Sequence, residues 1–381
     1  MIKIKITYLL TIIISVAVLF IGHKIAVKDM LKFQNYSQVI VKAKVLNVLD
    51  READEEKTGE GEESTFVIGS RIIFEAKITE GFRKGEIVKA IQSMNSFIQN
   101  SQKEVYKNAQ ILLIHTNNEW YFNGYNRINA LFVLGGLFVF CLILFGGKKG
   151  VNTIISLSMT CAAIFAVLIP SILSGKNIYV MSIITCIYVI AMMILIVIGF
   201  NKKALAAMTG CAGGVIIAGL IAVIMDKALF LTGIIDEHSR YLINLPGDIN
   251  INLKAIIFAG ILIGAMGAIM DVAVSIASSL WEVKEKAKTI SFKELFASGV
   301  TIGRDIMGSM SDTLILAYIG TSLTVVLILT VFSNSLLGLF NSEMIAVEIL
   351  QAMAGSIGIL FAMPLTALFC SFIYLREKNK E

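Results

Sequence analysis

The chain has 381 residues, 56% of them hydrophobic and only 16% charged, with a mean hydropathy of +0.78. Soluble domains carry roughly 25% charged residues, so this composition excludes an ordinary soluble protein and predicts a membrane protein. The net charge of +5 is not gathered into a basic face, so it speaks for membrane topology and against nucleic-acid binding.

From the N-terminus, Lys3 and Lys5 precede an apolar run over residues 6–22. The run ends in Phe20-Ile21-Gly22-His23-Lys24, which lacks the small residues of a signal-peptide cleavage site, so residues 1–24 are predicted to be an uncleaved transmembrane anchor.

Residues 25–127 change character. Short alternating runs at 40–45 and 72–78, and an apolar run at 111–114, are separated by turn signals such as Gly81-Phe82-Arg83-Lys84-Gly85 and Asn123-Gly124. Alternation of period two bounded by glycine and asparagine predicts a small β-rich domain, a barrel or a sandwich. Its acidic stretch (Glu52, Asp54, Glu55, Glu56, Glu60, Glu62, Glu63) is predicted to be a solvated hairpin tip rather than a cation site. Trp120 and Phe122 fit either strand core or an aromatic belt at the bilayer surface.

Long apolar runs follow, with spans predicted near 128–146, 151–173, 178–199, 204–225, 254–281, 304–328 and 347–374. A bilayer core needs about 20 apolar residues per helix, so with the anchor there are about eight helices. Lys148 and Lys149, Lys202 and Lys203, the group Lys284, Lys286, Lys288 and Lys293, and the tail Arg376, Lys378 and Lys380 fall on alternate connections. Positive charge stays on the cytoplasmic side, so both termini are expected inside and the β-rich domain outside the cytoplasm. The expected fold is an α-helical polytopic membrane protein with a small extracytoplasmic β-rich domain after the first helix. Its segments are the anchor (1–24), the β-rich domain (25–127), a seven-helix transmembrane domain (128–375) and a cytoplasmic tail (376–381). The mixed-charge connection at 226–253 has room for a lid or a short interfacial helix.

Five cysteines lie in apolar stretches and three histidines lie far apart, which gives neither a disulfide framework nor a metal spacing. No nucleotide-binding loop is present. No cofactor, metal or enzymatic role is expected.

Chemistry concentrates between residues 260 and 312. Gly260, Gly264 and Gly267 make a smooth helical stripe that Asp271, Ser275, Ser278 and Glu282 continue. Small residues let helices approach closely, so this face is predicted to look into the bundle. Ser291-Phe292-Lys293-Glu294 is a capping box that starts a short inner helix, which Gly299 and Gly303 would bend or break. Arg304, Asp305, Gly308, Ser309 and Asp312 then open the next span. Counting from the inner helix ends at 1.5 Å per residue places Asp271 and Asp312 roughly 13–15 Å deep, near the bilayer midplane. Asp271, Asp312, Ser275 and Ser309 therefore form a candidate intramembrane polar site, because ionisable groups are retained at depth only in a protein interior or a watery path. Simple hydrogen bonding across a tight helix pair is the structural alternative. Arg304, Asp305 and Glu282 are a candidate inner-surface anchor or gate, and Gly260, Gly264, Gly267 and Gly308 candidate helix-packing positions. Glu348 and Gln351 add a polar stripe that equally suits the helix dipole.

The runs Gly267-Ala268-Ile269-Met270-Asp271-Val272-Ala273 and Gly303-Arg304-Asp305-Ile306-Met307-Gly308, continued by Asp312-Thr313-Leu314-Ile315-Leu316-Ala317-Tyr318, resemble the YibE/F-like family of bacterial multipass membrane proteins. Asn341 to Glu343, Ala354-Gly355-Ser356-Ile357-Gly358 and Pro364-Leu365-Thr366 extend the resemblance. It implies a bacterial cell membrane and helices from about 128 to 375 that belong together. It implies no substrate and no catalytic residue.

Three functions compete. One is a gradient-driven transporter or channel-like permease for an unknown small solute or ion. Another is a non-catalytic envelope scaffold or assembly factor. The remote one is an intramembrane aspartyl protease, whose Tyr-Asp and Gly-x-Gly-Asp patterns are replaced here by Met270-Asp271 and Gly303-Arg304-Asp305. The expected partners are the lipid bilayer and either a second copy or a paralogous membrane chain.

Overall fold

The structure is a computed structural model describing residues 2–28, 39–58, 65–81, 83–94, 103–116, 118–243, 251–287, 289–332 and 335–375. The chain divides into two compact units, Lys32–Phe140 and Met1–Leu31 with Cys141–Glu381.

In the first unit, β1 (Val39–Thr58), β2 (Thr65–Glu80), β3 (Ile87–Met94), β4 (Gln110–Thr116) and β5 (Glu119–Tyr125) close into a barrel. The strand order is β1-β2-β3-β5-β4, with β3 and β5 parallel at Ala90↔Trp120 and Ile91↔Tyr121. That is the arrangement of a five-stranded OB-type barrel. Alternate residues fill it: Val41, Ala43 and Val45 from β1, Ile72, Phe74, Ala76 and Ile78 from β2, Ile111 and Leu113 from β4. Trp120 joins this core at 6% exposure, with Phe122 packed against it, so strand core prevails over an aromatic belt. Bulges at Lys42/Ala43, Val45/Asn47 and Val48/Asp50 curl the long β1 so that it pairs with both β2 and β4. The β1–β2 ladder continues to Thr58↔Thr65, so Glu52, Asp54, Glu55 and Glu56 belong to a paired strand rather than a hairpin tip. Glu60, Glu62 and Glu63 lie outside the described residues.

The remaining elements are helical: α1 (Ile2–Val27), α2 (Ile128–Ala162), α3 (Ile169–Leu173), α4 (Ile178–Val197), α5 (Lys202–Ala228), α6 (Glu237–Ile243), α7 (Leu253–Lys286), α8 (Phe292–Phe332), α9 (Leu336–Asn341) and α10 (Glu343–Leu375). A π-helical turn, Ala163–Leu168, joins α2 to α3. Among the described residues, seven helical segments are long and apolar enough to cross a membrane. One of them, Ile128–Leu173, has 46 residues. Straight, it would reach about 69 Å, twice the hydrocarbon thickness. Gly147 breaks it with φ 53° and ψ −128°, a conformation that only glycine adopts without strain. The two arms coincide with the separate spans predicted at 128–146 and 151–173.

Other predicted spans fall on α4, α5, α7 and α10. The region 292–328 differs. Ser291 and Glu294 do form the capping box, the Ser291 amide donating to the Glu294 carboxylate at 2.8 Å and the Glu294 amide to Ser291 Oγ at 3.3 Å. The helix they start then runs unbroken to Phe332. Gly299 and Gly303 do not break α8; they let it close on its neighbours. A Cβ at Gly303 would lie 2.0 Å from Met363 Cγ, and one at Gly299 2.7 Å from Ala367 Cβ. In the connection 226–253, α6 supplies the short helix; residues 244–250 lie outside the described residues.

In the bundle, α10 packs on α5, α7 and α8, and α5 on α7. The most extensive helix contact is α5 with α10, where Gly210 meets Thr366 and Gly214 meets Gly358 and Ala362. Lipid supplies no hydrophobic drive between helices, so close contact of small residues holds such a crossing together. The first helix also belongs to the bundle. Tyr8 donates to Asn152 Oδ1 (2.9 Å), Ser15 meets Tyr188 and Met159, and His23 Nδ1 contacts the Ala166 carbonyl (2.7 Å). Thus α1 is docked through polar contacts, which the expectation of a plain anchor missed.

Candidate intramembrane polar face

On α7, Ile261, Ala265, Ile269, Val272, Ala273 and Ile276 are buried, whereas Gly260, Gly264, Gly267, Asp271 and Glu282 are exposed and Ser275 half-buried. The expectation that the small, polar stripe looks into the bundle is therefore corrected. The broad apolar arc of α7 makes more contact with α5, α8 and α10 than a narrow glycine stripe could, and it takes the interior. Of its glycines, Gly260 and Gly264 receive neighbours among the described residues. A Cβ on Gly264 would stand 2.2 Å from the Tyr318 hydroxyl, and one on Gly260 4.0 Å from Gln351 Nε2. At Gly267 and Gly308 nothing lies within 4 Å among the described residues, so neither packs against another described helix.

The same holds on α8. Gly303 and Leu314 are buried, while Arg304, Asp305, Gly308, Ser309 and Asp312 are exposed. Asp312 precedes Leu314 by two residues, about 200° around the helix, so it points away from the packed side. Ser309 returns its hydroxyl to its own helix at the Ile306 carbonyl (3.0 Å).

The register follows from the close contacts. Gly299 meets Leu280 and Gly303 meets Ile276, so α7 and α8 run antiparallel and Asp271 comes level with Gly308, Asp312 with Gly267. The two aspartates are offset by about one turn, ~6 Å along the axis. Among the described residues, no hydrogen bond or ion pair joins Asp271, Glu282, Arg304, Asp305 or Asp312 to anything. Two neighbouring helices thus present ionisable groups without a partner among the described residues, on faces exposed within the bundle.

Both ends of the bundle carry contacts that sequence patterns did not single out. At one end, Lys203 and Lys284 hold their ammonium groups 5.6 and 5.2 Å from the Trp281 ring. Trp281 meets Tyr374 edge-on at 5.0 Å, and the Tyr374 hydroxyl donates to the Ala277 carbonyl (2.8 Å). At the other end, Lys254 lies 3.9 Å from Asp226. There the Glu343 carboxylate accepts from the Thr232 amide (2.7 Å), the Thr232 hydroxyl (2.8 Å) and the Gly233 amide (2.6 Å). Nearby, Asp236 accepts from the Ser239 amide (2.7 Å) and hydroxyl (2.5 Å), and these bonds hold its carboxyl below the usual aspartate range. Glu343 stood inside the family-like run at 341–343, but only the folded chain brings Thr232 to it.

A bundle of apolar helices, with exposed ionisable groups along α7 and α8, together with a small barrel, defines a multipass membrane protein. The profile of the YibE/F-like protein family matches residues 134–376, and the chain belongs to that family. The match begins beyond the barrel. No curated protein and no solved structure matches the chain.

Proposed function

We propose that this protein is a gradient-driven permease or channel of the cell membrane. It would cross the bilayer eight times, counting the arms on either side of Gly147 separately, with both termini cytoplasmic and the barrel outside. One observation carries the proposal: Asp271, Arg304, Asp305 and Asp312 stand unpaired on exposed faces of α7 and α8. Lipid cannot solvate such groups cheaply, so the faces are expected to border water or another subunit, and a second copy or a paralogous chain would complete the path. Gly267 and Gly308, level with the two aspartates and free of neighbours, leave room for a passing solute. The test is flux through proteoliposomes containing the purified full chain. Asp271→Asn and Asp312→Asn should each cut flux at least tenfold with insertion unchanged, and full flux in both variants would sink the proposal.

The scaffold alternative draws on the closed barrel with its own core. Co-purification of an envelope protein with the full chain, together with absence of flux, would favour it. A protease is not supported, because sharing a proton needs a hydrogen bond between carboxylates. None links Asp271 to Asp305 or Asp312 among the described residues.

A further inference from the structure

The barrel unit carries a cleft of about 440 Å³ lined by Lys42, Lys44, Lys84, Glu80, Asn126 and Asn129, among others. That volume suits a small ligand. Its shape is fixed by the fold. Gly85 donates to the Ile78 carbonyl (2.8 Å) and closes the β2–β3 turn that carries Lys84, and Thr79 Oγ1 donates to the Lys42 carbonyl (3.1 Å). On the opposite wall Asn126 Oδ1 accepts from the Ile128 amide (3.2 Å), and Asn129 donates to Gln110 (3.3 Å).

Charge and position then identify the ligand. Glu80 pairs with Lys42 at 2.5 Å, which leaves Lys44 and Lys84 with no ion pair among the described residues. The cleft therefore has an excess of two positive charges, together with amide donors, and calls for an anion with several acceptor oxygens. Asn129 sits in the first turn of α2, and Leu131, Phe132, Val133 and Leu134 immediately after it are 63–76% exposed. Two to five residues of helical rise separate the cleft from that apolar collar, about 3–8 Å. Lipid headgroups occupy a layer of roughly 5–7 Å on each side of the hydrocarbon. The cleft thus opens where phosphate groups of the bilayer lie.

We propose that this cleft binds the phosphate-bearing headgroup of an anionic lipid and thereby fixes the barrel unit at the membrane surface. The proposal is independent of the permease function. The test uses the full chain in nanodiscs of phosphatidylcholine with a minority of phosphatidylglycerol, followed by native mass spectrometry of the lipids retained on extraction. The wild type should retain phosphatidylglycerol several-fold above its share of the bilayer. Lys44→Gln combined with Lys84→Gln should lose most of that enrichment with unchanged thermal unfolding, while Lys89→Gln, on an exposed position of β3, should keep it. Equal enrichment in the wild type and the double variant, or none in either, would overturn the proposal. Inorganic phosphate and glycerol 1-phosphate provide the soluble arm. Binding of these at the lysines without any lipid enrichment would assign the cleft to a free anion and overturn the lipid source.

Discussion

Single side chains decide how the ends of the helices are tied. Glu343 satisfies two backbone amides and a hydroxyl of the segment after α5, so Glu343→Ala leaves those donors to water. A hydrogen bond to a charged group contributes about 1.5–3 kcal/mol, and partial exposure lowers that here. The expected loss is about 1–2 kcal/mol in total, read as a lower unfolding temperature in detergent with earlier proteolysis near Thr232. Asp236 works similarly ahead of α6. Its carboxyl is depressed in the folded chain, so its contribution is complete above the ordinary aspartate pKa and disappears as pH falls through the depressed value. Hydrogen exchange in α6 should therefore rise only in strong acid, and Asp236→Ala should show the same rise at neutral pH. Uniform exchange of α6 across that range would contradict the assignment.

At the scale of elements, glycines that look alike in sequence have opposite roles. A Cβ on Gly214 would lie 2.8 Å from both Ala362 Cβ and the Gly358 carbonyl. Gly214→Val should therefore separate α5 from α10 and cost about 1–3 kcal/mol or more, seen as loss of monodisperse protein. Gly267→Ala meets nothing within 4 Å and should change stability by no more than ~1 kcal/mol, with helix propensity in its favour. This contrast shows where sequence was legible. Apolar length marked the long helices, alternation marked β1 and β2, an apolar run marked β4, and Ser291 with Glu294 marked a helix start. Spacing also showed that Gly260, Gly264, Gly267 and Asp271 share a face. It did not show which way that face turns, because orientation is decided by competition among all faces of α7 for α5, α8 and α10. Likewise the pair Asp226–Lys254 and the grip of Glu343 on Thr232 join residues far apart in the chain, and no local pattern announces them.

For the whole molecule, Gly147 separates two arms of one long apolar stretch. Gly147→Ala would force a side chain into left-handed backbone, costing about 1–3 kcal/mol and favouring a continuous helix. A continuous helix would misplace Lys148 and Lys149, so reporter fusions after residue 150 should show mixed sidedness, where the wild type shows one. Finally, the polar contacts of α1 impose an order in time. Tyr8 and Ser15 meet partners 144 residues later in the chain, and the whole barrel is synthesised in between. The first helix must therefore wait in the bilayer with Ser15 unpaired while the barrel folds, and it can dock only once α2 and α4 have been inserted. Assembly of this protein is thus a delayed closure, and Ser15→Leu should leave early insertion intact while slowing the final compaction step measured by protease resistance after synthesis.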